Sequence, residues 1–246
     1  MTQASTTKFC TEKLVGNDGR YLIVDGNQKI ADDFHDPKPN AFSLLPVTDC
    51  PYRTPTCETS CYVHNLAKFA PDVYDAYAHN SATIREILEN DAAYWQHHLA
   101  DWIETHCYTG FRWHVSGDIF SFEYAGFIAG VVAMTTVQHW IYTRSLPYLE
   151  PIVGLPNLAV NISADKDNFN VARVAAKDYN VQLCFLTTNG YIPANMPLDG
   201  IIFPDYALRE GDWFSNLPRA RARQVCPVDM FGKTSSRRCM TCRKCF

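Results

Sequence analysis

Seven of the ten cysteines fall into two groups whose spacing could do chemistry. The first is Cys50-Pro-Tyr-Arg-Thr-Pro-Thr-Cys57-Glu-Thr-Ser-Cys61-Tyr62, and the second is Cys226, Cys239, Cys242 and Cys245 near the C-terminus. Thiolates are soft ligands for zinc and for iron–sulfur clusters. The four tail cysteines form a complete ligand set for either. Their Cys-x2-Cys-x2-Cys run, with Pro227 after Cys226, leans toward a 4Fe-4S cluster, with zinc as the alternative. Three cysteines on one front loop reach three corners of a cubic cluster and leave one iron open for a ligand. With His64 they would instead complete a Cys3His zinc site, and as a third reading they bind nothing. Cys10, Cys107 and Cys184 stand apart and read as small buried apolar residues.

Composition narrows the setting for this chemistry. The chain has 246 residues, 47% of them hydrophobic, enough for one large core and an appendage. The N-terminus lacks a basic-then-apolar leader. The longest apolar run, near Phe127–Met134, is far short of the roughly 20 residues a membrane helix needs. A cytoplasmic protein without a membrane partner is expected, and in the cytosol a disulfide framework of ten cysteines is a poor account beside metal binding. The formal charge of −4 is uneven: residues 219–246 hold eight Lys/Arg and one acid, a net +7 that leaves −11 elsewhere. A basic segment on an acidic body suggests contact with the phosphate of a nucleotide or nucleic acid. Equally, these charges solvate a tail or offset thiolate charge. Nothing in the sequence sets the oligomeric state.

The elements that must position these groups alternate along the chain. Residues 1–40 read as an N-terminal extension or hairpin with a turn at Val24-Asp25-Gly26-Asn27. Residues 41–218 read as a β/α unit, and 219–246 as a basic Cys-rich metal-binding tail. Strand-like runs occupy Phe42–Pro46, Phe111–Ser116, His139–Thr143, Leu158–Ser163, Val181–Thr187 and Gly200–Pro204. Helical spacing occupies Ser81–Glu104, Phe122–Thr135 and Asn168–Asp178. Strand–helix–strand alternation predicts a parallel sheet with right-handed crossovers, an α/β fold built as a partial (β/α)6 barrel or an open sheet.

Ligands of such folds gather at the carboxyl ends of the strands. The runs lead there into Cys50, Ser116-Gly117-Asp118, Thr143-Arg144-Ser145, Asn161-Ile162-Ser163-Ala164-Asp165 and Thr187-Thr188-Asn189. Alternation over residues 111–118 puts Arg112, His114, Ser116 and Asp118 on one face, toward a lumen. Gly117 admits a ligand close to the backbone, Asp118 suits an amine or hydroxyl, and Asp118 with His114 are the candidate catalytic groups. Arg144 and Ser163 are candidate contacts for a carboxylate or phosphate. Against these stand plainer readings: Arg112 and His114 as a satisfied buried pair, Arg144 paired with a nearby Asp. Asp118 or Asp165 serves as nucleophile or general base in a zinc-stabilised barrel, the alternative that exchanges or modifies a base without radical chemistry.

A cysteine triad on the loop after the first of six β/α strands resembles the radical S-adenosylmethionine superfamily, and the Cys61-Tyr62 ending resembles its phage-associated branch. The usual spacing there is three then two intervening residues; this chain has six then three. The stretch HWIYTRSLPYLEPIVGLPNLAVNISADKDN, residues 139–168, is similar to that branch, where a strand ends in Thr-Arg/Lys and Leu-Pro-Asn introduces the next. Within the branch the chain is similar to the gene-product-88-like phage proteins, which also end in a Cys-rich tail. From about Ala41 to Phe246 this resemblance implies a radical-SAM-type partial barrel and one or two 4Fe-4S clusters. It further implies an S-adenosylmethionine site including Tyr62, Ser116, Gly117, Asp118, Arg144 and Ser163. Ser116-Gly117-Asp118 takes the place of the segment that meets the methionine amino group. The function implied is that of an iron–sulfur enzyme acting on a nucleotide or nucleic-acid base; a non-catalytic binding module is the reading from another class.

Overall fold

The computed structural model describes residues 11–26, 38–61, 63, 66–209, 212–227, 229, 239–242 and 244–245. Tyr62, His64 and the basic residues Lys233, Arg237, Arg238 and Arg243 lie outside the described residues.

Apolar alternation builds one eight-stranded sheet. Its strands are β1 (Thr11–Val15), β2 (Tyr21–Asp25), β3 (Ala41–Phe42), β4 (Phe111–Trp113), β5 (His139–Thr143), β6 (Leu158–Ala164), β7 (Gln182–Thr187) and β8 (Ile201–Pro204), side by side in chain order. The first three pair antiparallel, and β3 to β8 are all parallel. Parallel neighbours that follow one another in sequence with crossovers of one hand place every crossover on the same face. The architecture is thus a mixed α/β sheet, six strands of which are parallel and adjacent in chain order, and it does not close into a barrel among the described residues.

The helices are α1 (Pro55–Thr59), α2 (Leu66–Phe69), α3 (Pro71–Asn90), α4 (Ala92–His106), α5 (Phe122–Ala133), α6 (Phe169–Asp178), α7 (Tyr206–Arg209) and α8 (Arg219–Ala222), with a last helical turn at Cys239–Cys242. The expected helix over Ser81–Glu104 is two helices meeting at Asp91, whose φ of −144° leaves the helical region. Asn90 and Asp91 are weak helix formers, and the Asp91 carboxylate pairs with Arg20 of the β1–β2 turn. Helix α5 starts where Ser121 caps the Tyr124 amide at 3.1 Å, and it buries Tyr124, Phe127, Ile128, Val131 and Val132.

The core lies between the sheet and these helices. Leu22, Val24, Phe42, Phe111, Trp113, Ile141, Ile162 and Phe185 meet Ile84, Trp95, Leu99, Ile103, Phe127 and Ile128 there, all essentially buried. Strands β1 and β2 contribute Leu14, Leu22 and Val24 to this same core. Their hairpin turns at Gly16–Arg20, where Gly16 N donates to Arg20 O at 2.8 Å, upstream of the turn expected at Val24–Asn27. The opposite face of the sheet carries Tyr142, Cys184, Ile201 and Phe203, and the tail packs on it with Cys226 and Cys245. The tail also closes the free edge of β8: Ile202 N donates to Gln224 O at 2.9 Å and Cys226 N to Ile202 O at 2.8 Å. No helix among the described residues is long and apolar enough to cross a membrane.

Candidate metal centre

The front cysteines are set by a capped helical turn. Thr54 is the N-cap of α1, its hydroxyl accepting from Cys57 N at 3.0 Å, and Pro55 supplies the pre-set first helical φ. Cys57 lies inside this turn and Cys61 just beyond its C-cap Ser60, and both lie close enough to Cys50 for their charges to act on it. Burial pushes the Cys50 thiol up to about 12, and the Asp118 carboxylate adds to this. A thiol so placed is a poor nucleophile; it ionises readily only beside a cation.

The loop is pinned to the strand ends by two buried carboxylates. Asp165, after β6, accepts from the Thr54 hydroxyl and from Asp167 N, and it pairs with Arg144 at 3.2 Å. Asp167 in turn accepts from Thr56 N at 2.9 Å. Asp49 accepts from Leu45 N, Ser81 and Arg85, holding the chain between β3 and Cys50 against α3. Val47, a β-branched residue at φ 66°, sits in the same turn, a conformation that persists only where its surroundings hold it.

The expected strand-end residues come together, in roles that differ one by one. Asp118 is buried and accepts from Thr143 Oγ1 at 2.6 Å, Arg144 N at 2.8 Å and Ile119 N at 2.7 Å, so it ties the ends of β4 and β5 together. Burial raises its pKa, opposed by these bonds, first that of Thr143. The Arg144 guanidinium is engaged by Asp165 and by Ser163 O at 2.8 Å. This is the plainer of the two readings of Arg144. The alternation expected over residues 111–118 stops at Trp113, because His114 takes a left-handed φ of 62°. His114 Nε2 meets the Tyr124 hydroxyl at 2.8 Å on the helical side, and burial lowers its pKa to about 3, keeping it neutral.

Gly117 has φ 85° and packs on Leu44, so closely that a Cβ there would lie 2.6 Å from Leu44 Cβ. At the ends of the strands, four buried polar atoms have no hydrogen-bond partner among the described residues: His114 Nδ1, Ser116 Oγ, Ser145 Oγ and Thr187 Oγ1. Buried polar groups are almost always hydrogen-bonded, and these four stand at or just beyond the carboxyl ends of β4, β5 and β7, where ligands of α/β folds gather. Ser163, on β6, is half-buried and points away from the core-facing Ile162 and Ala164.

At the tail, Cys226, Cys239, Cys242 and Cys245 line one cavity with Ile201, Pro227 and Lys244. The sequence placed Cys184 apart, yet it lies in this group: buried on β7, it packs with Cys226 and Cys245, and its Sγ approaches Asn161 Oδ1 at 3.6 Å. Strand alternation over residues 182–187 was the one available signal, since it puts Cys184 opposite the core-facing Leu183 and Phe185. Burial pushes the Cys184 thiol well up and the Cys245 thiol up to about 11. None of the nine described cysteines forms a disulfide. Thiolates on a single zinc lie within about 4 Å of each other. Among the described residues no three His, Cys, Asp or Glu side chains gather as the ligand set of one metal ion. The tail thiols line a space without meeting at a point.

No solved structure matches this chain. It is 34% identical over 134 residues to the Gene 88 protein of Mycobacterium phage D29, which covers 50% of this chain and 55% of that protein. It is 31% identical over 149 residues to the Gene 88 protein of Mycobacterium phage L5, covering 56% of this chain and 61% of that one. The match thus spans little more than half the length of these relatives. The family described as Gene product 88 matches residues 20–246, nearly the whole sequence, and the chain belongs to that family.

Proposed function

We propose that this chain is an iron–sulfur protein of radical-SAM-like type, with its reactive centre at Cys50, Cys57 and Cys61 and a nucleotide or nucleic-acid base as substrate. The observation that carries the reading is one of placement. A three-cysteine loop leaves the carboxyl end of the first of six sequential parallel strands and is pinned by Thr54 to Asp165 after β6, at the same strand ends that carry the orphaned Ser116, Ser145 and Thr187 hydroxyls. Three thiols fit a cubic cluster with one open iron. When bound there with S-adenosylmethionine, such a cluster would supply the electron for reductive cleavage of the sulfonium.

The chain's own residues supply position. Asp165 and Asp49 hold the cysteine loop, Asp118 joins the ends of β4 and β5, and Gly117 lets Leu44 of the loop pack against the end of β4. Ser116, Ser145, Thr187 and His114 Nδ1 offer hydrogen bonds to a polar ligand such as an amino acid or ribose. Tyr62 stays in this proposal as a cofactor contact on the strength of the resemblance alone, and Ser163 as a polar group on β6. The tail cysteines are assigned a second cluster, with zinc as the alternative, and the basic residues around them favour a phosphate-bearing partner.

The test is anaerobic purification followed by iron, sulfide and zinc analysis, the visible spectrum, and incubation with S-adenosylmethionine and a strong reductant. Several irons per chain, broad visible absorption and slow release of 5′-deoxyadenosine are expected. Stoichiometric zinc in a colourless sample overturns the iron–sulfur reading in favour of a zinc-stabilised fold. Iron without cleavage overturns the radical chemistry and favours a binding module.

A further inference from the structure

A parallel sheet is found almost only with both faces covered. Here the crossovers cover one face of β3 to β8, and the tail lies on the other, with the sheet as its floor. Burial along two strands records its footprint. The residues of that face are Ala159, Asn161 and Ser163 on β6, and Gln182, Cys184 and Leu186 on β7. The outer members of each trio are half-buried, whereas the central Asn161 and Cys184 are buried.

Asn161 is the mooring at the centre. Its Nδ2 donates to Cys245 O at 3.1 Å, and only more distantly to Ile141 O at 3.3 Å and Ala159 O at 3.4 Å on the strands themselves. Its Oδ1 accepts from Cys184 Sγ at 3.6 Å. A buried amide is costly to leave unpaired, and the tail carbonyl supplies its partner. At the surface, Lys244 Nζ reaches back to Arg223 O. Among the described residues the apolar cluster under the tail is small: Cys184, Ile201 and Cys226, with Tyr142, Phe203 and Cys245 packed against them. The core on the helical face draws on all eight strands. Segments resting on few buried apolar contacts open locally, at a lower free energy than global unfolding.

We propose that the Cys239–Cys242 turn and Lys244–Cys245 form a strap over the face opposite the helices, latched by Asn161 to Cys245 O. The strap opens while the core stays folded, and it then uncovers Tyr142, Asn161, Cys184 and Phe203. That floor holds an amide that both donates and accepts, a thiol and two aromatic rings. The inference is independent of the iron–sulfur reading, because its reporter, Cys184, belongs to neither candidate ligand set.

Cys107 is the reference. It is 2% exposed, as Cys184 is, but it lies at the end of α4 within the core, so reagent reaches it only when the core opens. The full chain is alkylated with iodoacetamide under native conditions, and the rates at both cysteines are read by peptide mass mapping in the parent, Asn161→Ala and Ile128→Val. Ile128 is fully buried on α5, so its truncation weakens the core in the open-strap and closed-strap states alike. Ile128→Val is expected to speed Cys107 by about 2- to 10-fold and leave Cys184 at the parent rate. Asn161→Ala is expected to speed Cys184 by about 5- to 30-fold. Equal acceleration of both cysteines in Ile128→Val would show that Cys184 is reached only by global unfolding, and this overturns the strap even where Asn161→Ala fails to fold. A parent Cys184 rate in a folded Asn161→Ala chain overturns the latch.

Discussion

Substituting Gly117 with alanine tests the crossing on which the whole front site depends. Gly117 sits at φ 85°, where an L side chain costs about 1–2 kcal/mol. The new methyl would stand 2.6 Å from Leu44 Cβ and 3.2 Å from the Leu44 Cα and carbonyl carbon. Leu44 cannot retreat freely. It is fully buried, and its amide donates to Ser116 O at 2.9 Å, while Asp118 N bonds to Asp49 O at 2.8 Å just beyond. Overpacking of this kind costs about 1–3 kcal/mol. Together the two effects give about 2–5 kcal/mol, a shift in the folding equilibrium of roughly 30-fold to several thousand-fold. The assay is equilibrium urea unfolding of the metal-free chain followed by far-UV circular dichroism. Gly126→Ala is the control, because a Cβ on that helical glycine meets nothing within 4 Å, and it should stabilise by up to about 1 kcal/mol. A Gly117→Ala chain within about 0.5 kcal/mol of the parent would refute the reasoning, since the loop bearing Cys50 would then not be wedged against the end of β4.

Three further outcomes follow from the same geometry. Burial raises the Asp25 pKa from 3.8 to about 6 against the bonds from Tyr77 and Ser43, so its contribution is fully present below pH 4 and lost as pH rises through 6. The Asp25→Asn chain should therefore gain on the parent by about 3 kcal/mol between pH 4 and pH 7 in urea titrations, and parallel pH profiles would contradict this. Thr54→Val removes the α1 cap and the bond to Asp165; a loss of about 1–2 kcal/mol is expected, together with iron lost from the front site and retained at the tail, read by metal analysis. In the chelator-treated native chain, Cys107 and Cys184, each 2% exposed, should alkylate far more slowly than Cys57 and Cys61 by peptide mass mapping. Equal rates would place Cys184 outside the buried floor.

The sequence by itself determined the order and kind of the principal elements. His139–Thr143 is a strand as expected, and β6, β7 and β8 begin or end within a residue or so of their expected bounds, because apolar runs of four to seven residues bounded by turn residues carry a local signal. It also determined the two cysteine groups, since ligand spacing is local. The missed break at Asp91 is a local conflict settled by a distant partner, Arg20. Everything that distinguishes the strand-end residues from one another was decided by tertiary structure. Arg144 is spent on Asp165, and Asp118 on Thr143 and the Arg144 amide, while the Ser116, Ser145 and Thr187 hydroxyls have no partner among the described residues. Thr54 meets a carboxylate 111 residues away, and Cys184 meets thiols about 40 and 60 residues downstream on a face that exists only once β5 to β8 are paired. Spacing along the chain fixes which residue types lie near each other in sequence. Which polar atoms are satisfied, and which are held open for a ligand, depends on pairings that only the folded sheet brings within 3 Å.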